Sequence, residues 1–490
     1  MHSLRPAIRC GAALGAVVAL LGACAVGPNF TRPSPPDTGG YLNEPRSPVA
    51  ADGGARQPGP GAVLAADWWR MFNSPQLDDA VRKAIAGNPT LQAAEASLRQ
   101  AQDILRAGRG VFFPQVGALL DASRQRSAPV EQGLATRGGV FNVVTLSGTV
   151  GYALDVFGGE RRKVESLGAQ ADFQRNAALA AYLALSANVV NTGIARSAYA
   201  AQIRVTEQLI DLEAQQLRLA AVQVGAGTAA YSGMLEIRGL IASNRALLAP
   251  LRQRADQAGD LLALLEGVAP SQAALPEIEF ADLAAPGDPP VSLPSDLVRQ
   301  RPDILEAEAM MHVASANIGV ATAAMFPSIS LSGTYGAAAG SFSGLSAASG
   351  RFWSIGPSVT VPLFQGGALW YGRKAAIDAF QESQAAYRQT VLAAFAQVAD
   401  SLHALDHDAE ALQAQADARR AADEALSLVN ANYRAGLAAY SDVLAADVQA
   451  HMATIAWLSA AAQREQDTVA LYVALGGGWW NGPAGGGSGR

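Results

Sequence analysis

The hexapeptide Gly227-Thr-Ala-Ala-Tyr-Ser232 returns as Gly436-Leu-Ala-Ala-Tyr-Ser441. This recurrence constrains the fold more than any other feature, because a repeat architecture decides which segments can pack together. Each copy follows a long proline-free run rich in Ala and Gln, and each leads into another. A Gly closing one helix, with Ser or Thr opening the next, predicts a sharp helix–helix turn. The halves also align further out, Val111-Phe-Phe-Pro114 with Ala324-Met-Phe-Pro327 and Asn88-Pro-Thr-Leu91 with Arg301-Pro-Asp-Ile304. The chain reads as one helical hairpin unit used twice.

Asn88-Pro89 opens a predicted helix that runs to about Arg109 and stops at Phe113-Pro114. The apolar period then changes from 3.6 to 2. Val144, Leu146, Val150, Tyr152, Leu154 and Val156 alternate with Thr145, Ser147, Thr149 and Asp155. In the second half Ile329, Leu331 and Tyr335 alternate with Ser328, Ser330, Ser332 and Thr334. Trp353, Ile355, Val359, Val361 and Leu363 alternate with Phe352, Ser354, Ser358 and Thr360, and Val116, Ala118 and Leu120 give a weaker fourth stretch. The polar face is small and almost uncharged, and lengths near ~10 residues suit tilted membrane strands. Tyr152, Tyr335, Trp353 and Phe364 would stand near the membrane interfaces. Four strands cannot close a barrel, since membrane barrels begin at about eight. An open edge in lipid leaves backbone groups unpaired, so the strands must be shared between protomers.

Proline is absent from Val130 to Ala249 and again from Leu363 to Gly482. Ser166–Val224 as one helix would rise about 90 Å, and Ala375–Arg434 would match it. Ser232–Glu266 covers about half that length, and a helix over Ser295–Met325 would add about 47 Å. Two half-length helices placed end to end match one long helix, which puts the Pro-rich stretch between them at mid-height. These features predict an α-helical tube continuous with the β-barrel. A solid coiled coil would carry Leu or Ile at both seam positions, whereas Ala is frequent here and apolar residues extend to a second face.

The N-terminus reads as an export signal, with Arg5 and Arg9 before an apolar run from Gly11 to Leu21 that is too short to span a bilayer. It ends in Leu21-Gly-Ala-Cys24, which resembles the bacterial lipobox, so Cys24 is the expected lipidation site. Cys10 would leave with the signal, and no intrachain disulfide is then possible. Ala25 after the Cys points to the outer membrane. The expected organisation is a signal peptide (1–23), a lipidated tether (24–66), a first repeat (67–266), a mid-height linker (267–294), a second repeat (295–476) and a Gly-rich tail (477–490). Trp68 and Trp69 read as a packing anchor at the entry to the folded part.

The balance of 36 basic and 42 acidic side chains argues against a nucleic-acid partner. Nothing supports catalysis or a cofactor. His403 and His407 have i,i+4 spacing beside Asp406 and Asp408, which could hold a metal, but a hydrated helix face explains them better. Gly158-Gly159 and Gly366-Gly367 read as strand-to-helix transitions.

The lipobox followed by Val26-Gly-Pro-Asn-Phe-Thr-Arg-Pro33, Asp67-Trp-Trp-Arg-Met-Phe72 and Arg299-Gln-Arg-Pro-Asp-Ile-Leu-Glu-Ala-Glu308 resembles the outer-membrane efflux protein (TolC) family. So do Ala316-Asn-Ile-Gly-Val-Ala-Thr-Ala-Ala-Met-Phe-Pro327 and the paired Gly-x-Ala-Ala-Tyr-Ser turns. The likeness is to its lipoprotein branch, the OprM/NodT-like ducts of resistance-nodulation-division pumps. That resemblance implies a homotrimer with a twelve-stranded outer-membrane β-barrel above a periplasmic α-barrel. It implies a periplasmic adaptor protein and an inner-membrane resistance-nodulation-division transporter as partners, with drugs or other small toxic compounds as cargo. The duct of a type I protein secretion system is the alternative within the family, and a pore-less periplasmic coiled-coil lipoprotein the alternative outside it. The resemblance also places a gate at the helical tips, around turn residues Gly227 and Gly436. Asp442 matches an aspartate of the family's gate, with the plain helix N-terminal cap as its alternative role, and Tyr433 and Ser232 fall where the family makes contacts between hairpins. Tyr440 and Ser441 precede Asp442 in the same turn. In the first repeat Gly233 stands where an Asp would be expected, and Ala445 occupies a position that is acidic in some relatives.

Overall fold

The computed structural model describes residues 25–36, 38, 40–42, 64–126, 139–283 and 294–481. The chain forms two compact units, and each draws on both sequence repeats. One comprises residues up to Pro33, Ser97–Gln174 and Glu306–Tyr387; the other comprises Ser34–Ala96, Arg175–Leu305 and Arg388 onward.

The first unit is built on one antiparallel sheet of strands β1 (Gln115–Arg126), β2 (Val140–Leu154), β3 (Ser328–Ala339) and β4 (Arg351–Thr360), in that spatial order. Cross-strand partners share a face, so the register sorts the side chains. One face carries the rows Leu154–Ile329–Val359, Tyr152–Leu331–Pro357, Val116–Val150–Gly333–Ile355 and Ala118–Gly148–Tyr335–Trp353. The other carries Gln115–Gly151–Ser332–Gly356 and Gly117–Thr149–Thr334–Ser354. The expected segregation is therefore carried across all four strands. The apolar rows climb from Leu154 back to Val144. At about 3.4 Å per residue and a tilt near 40°, that climb covers roughly 26 Å, the height of a barrel's lipid-facing band. In the single chain most of this face is bare, with Val116 79% exposed, Trp353 73% and Ile355 70%, while Val144 at its end is buried. An apolar surface of this extent calls for lipid or protein cover.

Each hairpin of the sheet returns into a long helix through the expected glycines. Gly158, Gly366 and Gly367 have positive φ values of 79°, 58° and 87°, a region costly for any residue with a Cβ. Helix α3 (Gly159–Gly225) and helix α7 (Ala368–Arg434) follow, each of 67 residues. The start of α3 is held by Asp155, whose carboxylate accepts from the backbone N–H groups of Glu160 (3.0 Å) and Arg161 (2.9 Å). A carboxylate at a helix N-terminus satisfies orphan donors and complements the dipole.

The residues after Cys24 are seated on this unit. Val26 N–H bonds Phe157 O at 3.0 Å, and the buried Arg162 guanidinium donates to Asn29 Oδ1 (2.7 Å) and Glu165 Oε2 (2.7 Å). Phe30 stacks on His312 at 4.3 Å. Gly27 (φ 92°) lies so close to Gly319 that a Cβ would stand 2.5 Å from its Cα. This part of the predicted tether is a docked strap.

In the second unit, helix α1 (Pro75–Gly87) is capped by Ser74, whose hydroxyl accepts from Leu77 N–H at 3.3 Å. Helix α2 (Pro89–Gly108) begins at Asn88, whose Oδ1 accepts from Leu91 N–H (3.0 Å) and whose amide donates to Leu265 O (2.9 Å). Helix α4 (Tyr231–Glu266) pairs with α3, and α8 (Tyr440–Ala474) with α7. The reading of one helix over Ser295–Met325 is corrected to α5 (Pro294–Gln300) and α6 (Pro302–Ala323). Pro302 biases the residue before it away from helical geometry. That residue, Arg301, donates to Ala474 O (3.0 Å) and Gln397 Oε1 (2.5 Å). The two Asn/Arg–Pro breaks are thus the same device in both repeats.

Trp68 and Trp69 are buried, Trp68 stacked on Tyr472 at 5.7 Å and Trp69 donating to Asp78 Oδ1 at 3.0 Å. They are a packing anchor. The segment after Gly267 lies against the middle of α3: Arg196 donates to Pro276 O (2.6 Å), and Arg204 to Glu279 Oε1 (2.6 Å). One 18-residue stretch of α3 is apolar enough to cross a membrane by length and composition. In this helix, however, Val189, Val190 and Ile194 are fully buried in the second unit.

Candidate gate at the helical turns

The two tip turns close with the same backbone bonds. Gly227 and Gly436 both adopt φ 73°. Gly227 N–H bonds Val224 O at 3.0 Å and Thr228 N–H bonds Gln223 O at 2.9 Å. Gly436 and Leu437 repeat this on Tyr433 O (3.0 Å) and Asn432 O (2.8 Å). The bonds satisfy the last carbonyls of α3 and α7 as left-handed caps do. The following helices start one residue earlier than the sequence suggested. Ala230 and Ala439 occupy the N-cap positions, so Ser232 and Ser441 lie inside the first turn, both exposed. Ala offers no side-chain acceptor, and the capping bond comes from Asp442, whose Oδ2 accepts from Ala439 N–H at 3.0 Å. In the first repeat Gly233 stands at the corresponding place and supplies none.

Among the proposed gate residues, Tyr440 is the one brought between hairpins. It packs on a cluster of Ile210, Ile237, Ile241, Leu248 and Leu444, drawn from α3, α4 and α8. Its ring lies 5.4 Å from that of Tyr433, which is itself 38% exposed. Burial raises the Tyr440 phenol above its ordinary range, with Tyr433, Asp447 and Glu213 adding to the effect. Asp442 is exposed on its first turn.

Behind the cluster lie buried acids that the sequence reading did not find. Glu213 of α3 is 1% exposed and accepts from Asn244 Nδ2 of α4 at 2.8 Å. Burial raises its pKa, and the nearby Asp447 carboxylate of α8 raises it further. Burial likewise raises Asp447 and lowers His451, whose Nε2 lies 3.4 Å from Thr206 Oγ1. Gln202 Nε2 donates to Ser459 Oγ at 3.1 Å, and Gln466 Nε2 to Asn191 O at 3.4 Å. The α3–α8 seam is therefore a polar ladder linking the two repeats. Further along, burial and then the hydrogen-bonded Asp467 push Asp408 up to about 7. Glu465 is pushed to about 7 by burial. A single polar side chain on an otherwise apolar helix face looks like a surface residue in sequence, so Glu213, Asp447 and Glu465 carried no signal, and Asp408, expected on a hydrated face, is instead half-buried.

Cys24, the predicted lipidation site, lies outside the described residues. His403 and His407 are exposed, and no group of three or more His, Cys, Asp or Glu is placed to hold a metal among the described residues.

Comparison with known proteins bears on the whole chain. The family model described as outer membrane efflux protein matches residues 80–268 and 293–477, once on each repeat. The chain is 30% identical over 474 residues to outer membrane protein OprJ of Pseudomonas aeruginosa, covering 94% of both. It is 31% identical over 475 residues to pyoverdine export outer membrane protein OpmQ of the same species, covering 94% of this chain and 95% of that one. Its fold matches the open-state MtrE outer membrane channel of Neisseria gonorrhoeae with a TM-score of 0.82, at 26% identity over 93% of this chain and 99% of that one.

Proposed function

The chain belongs to the outer membrane efflux protein family and is an outer-membrane efflux channel reaching into the periplasm, and on that premise we propose the assembly, cargo and gate that follow. The working form is a homotrimer whose three four-stranded sheets close a twelve-stranded barrel. The observation that carries this is the sheet itself, with one continuous apolar face and the outer edges of β1 and β4 both unpaired among the described residues. Unpaired edges in hydrocarbon cost several kcal/mol per backbone group, and closure on neighbouring copies removes them.

The trimer receives cargo from a periplasmic adaptor and an inner-membrane resistance-nodulation-division transporter. The cargo is drugs or other small toxic organic compounds. Conduction through the channel is passive, with the energy supplied by the transporter. Cys24 carries a lipid anchor that supplements the barrel's own hold on the membrane. The gate is at the tip turns of Gly227 and Gly436. There the exposed Asp442 of three copies forms an acidic ring that favours cations. Tyr433, Tyr440, Ser232 and Ser441 set how closely the hairpins approach.

The test is conductance in planar bilayers. Asp442→Ala should lower cation preference and weaken block by multivalent cations, with barrel insertion unchanged. Unaltered selectivity and block would remove Asp442 from the gate.

A further inference from the structure

The edge strands both change character at the ends away from the helices. On the lipid-facing side β1 runs Val116, Ala118, Leu120, Ala122 and then Arg124 and Arg126. On the same side β4, followed back from its foot, runs Val359, Ile355 and Trp353 and then Arg351. All three arginines are exposed, and Arg124 Nη1 makes one 3.4 Å contact to Asn142 Oδ1. Asp121, the one acidic residue of the four strands, stands on the opposite face, paired with Thr145. The turn from Gly340 to Gly350 carries no charge.

The two repeats indicate how β4 meets β1 of the next copy. The β2–β3 pairing joins the repeats within one chain, and the β4–β1 junction is its counterpart between chains. Aligning Gln115 with Ser328 and Gly159 with Ala368 transfers the register. Leu146↔Ala337 then becomes Ile355 opposite Arg124, and Val144↔Ala339 becomes Trp353 opposite Arg126. Arg351 falls diagonally beside Arg126, within about 7–8 Å. Each seam thus gathers three guanidinium groups around an exposed tryptophan. Tyr335 lies beside that tryptophan in the same row. Tyr and Trp at this depth mark the headgroup level of a bilayer.

We propose that Arg124, Arg126 and Arg351 form, at each seam of the trimer, a site for a phosphorylated lipid headgroup of the outer leaflet. The planar guanidinium matches phosphate oxygens in bidentate fashion, and Trp353 offers an apolar wall for the acyl root. The proposal rests on the trimeric barrel above, and its test separates the two.

Purified trimer in detergent is titrated with bisphosphorylated lipid A, dephosphorylated lipid A and inorganic phosphate, and bound lipid is counted by native mass spectrometry. The unmodified protein should hold the bisphosphorylated form at least about tenfold more tightly than the dephosphorylated one. The Arg124→Gln, Arg126→Gln, Arg351→Gln variant should lose that preference while still running as a trimer on unheated gels. Equal binding of both lipids by the unmodified protein, or undiminished preference in the variant, overturns the site. Full competition by millimolar inorganic phosphate overturns the lipid assignment. If the variant does not assemble, the preference of the unmodified protein decides. A chain that forms no trimer with any lipid fails on the barrel, not on the arginines.

Discussion

Glu465 sits on α8 with one carboxylate oxygen buried and without a hydrogen-bond partner, and it is 8% exposed. Its ordinary pKa is 4.5, and burial lifts it to about 7. A carboxyl group raised in this way holds its proton more tightly folded than unfolded. Its favourable contribution is complete below about 4.5 and is lost as the pH climbs through about 7. Asp408, raised to about 7 by burial and then by the neighbouring Asp467, acts in the same direction. The helical part should therefore unfold at a lower temperature at pH 8 than at pH 5. Glu465→Gln should match the unmodified protein at pH 5 and exceed it at pH 8, by an amount on the order of 1–3 kcal/mol. Thermal melts followed by circular dichroism at the two pH values decide it, and a Gln variant that melts lower at pH 8 would refute the account. Glu213→Ala should behave otherwise. Removing it leaves Asn244 unpartnered in the buried seam, at a cost of about 1–3 kcal/mol at low pH that shrinks as the pH rises, because the carboxyl removed is one whose pKa burial raises.

The tips show how similar elements come to differ. The second turn has Asp442 to close the first turn of α8, and the first has Gly233. A Cβ at Gly233 would meet nothing within 4 Å. Gly233→Asp should thus install the missing cap on α4 and stabilise that tip by about 1 kcal/mol, seen as slower amide exchange over the first turn. It would also give the mouth a second acidic ring, so cation preference should rise. Asp442→Ala should loosen the start of α8 by a similar amount. Much of this was legible in sequence: the Gly turns, the four strands with their faces, and the glycine feet of the long helices. Periodicity and positive-φ glycines leave a local imprint that a reader can follow. Helix α1 escaped because its apolar stripe is short. The break at Arg301 carries one local mark, Pro302, but the contacts with residues 397 and 474 that anchor it leave none. The buried acids escaped for the same reason, since a long-range partner leaves no mark beside the residue it serves.

At the scale of the whole molecule, the edges of β1 and β4, unpaired among the described residues, predict that no folded monomer persists. Detergent-extracted protein should run as a heat-sensitive trimer, and light scattering that finds a stable monomer would refute the architecture. Cys24→Ser should abolish acyl labelling, yet trimers should still be recovered from the membrane fraction, because the barrel is itself a membrane anchor. The two long helices carry a further consequence, since each has 67 residues although their sequences have drifted apart. Deleting one residue from either would shorten it by about 1.5 Å and turn everything beyond by about 100°. The seam of α3 against α8 would then be presented with the wrong face. Length is accordingly inherited as a shared dimension of the two halves. Insertions and deletions in this lineage should survive chiefly as matched pairs, one in each helix.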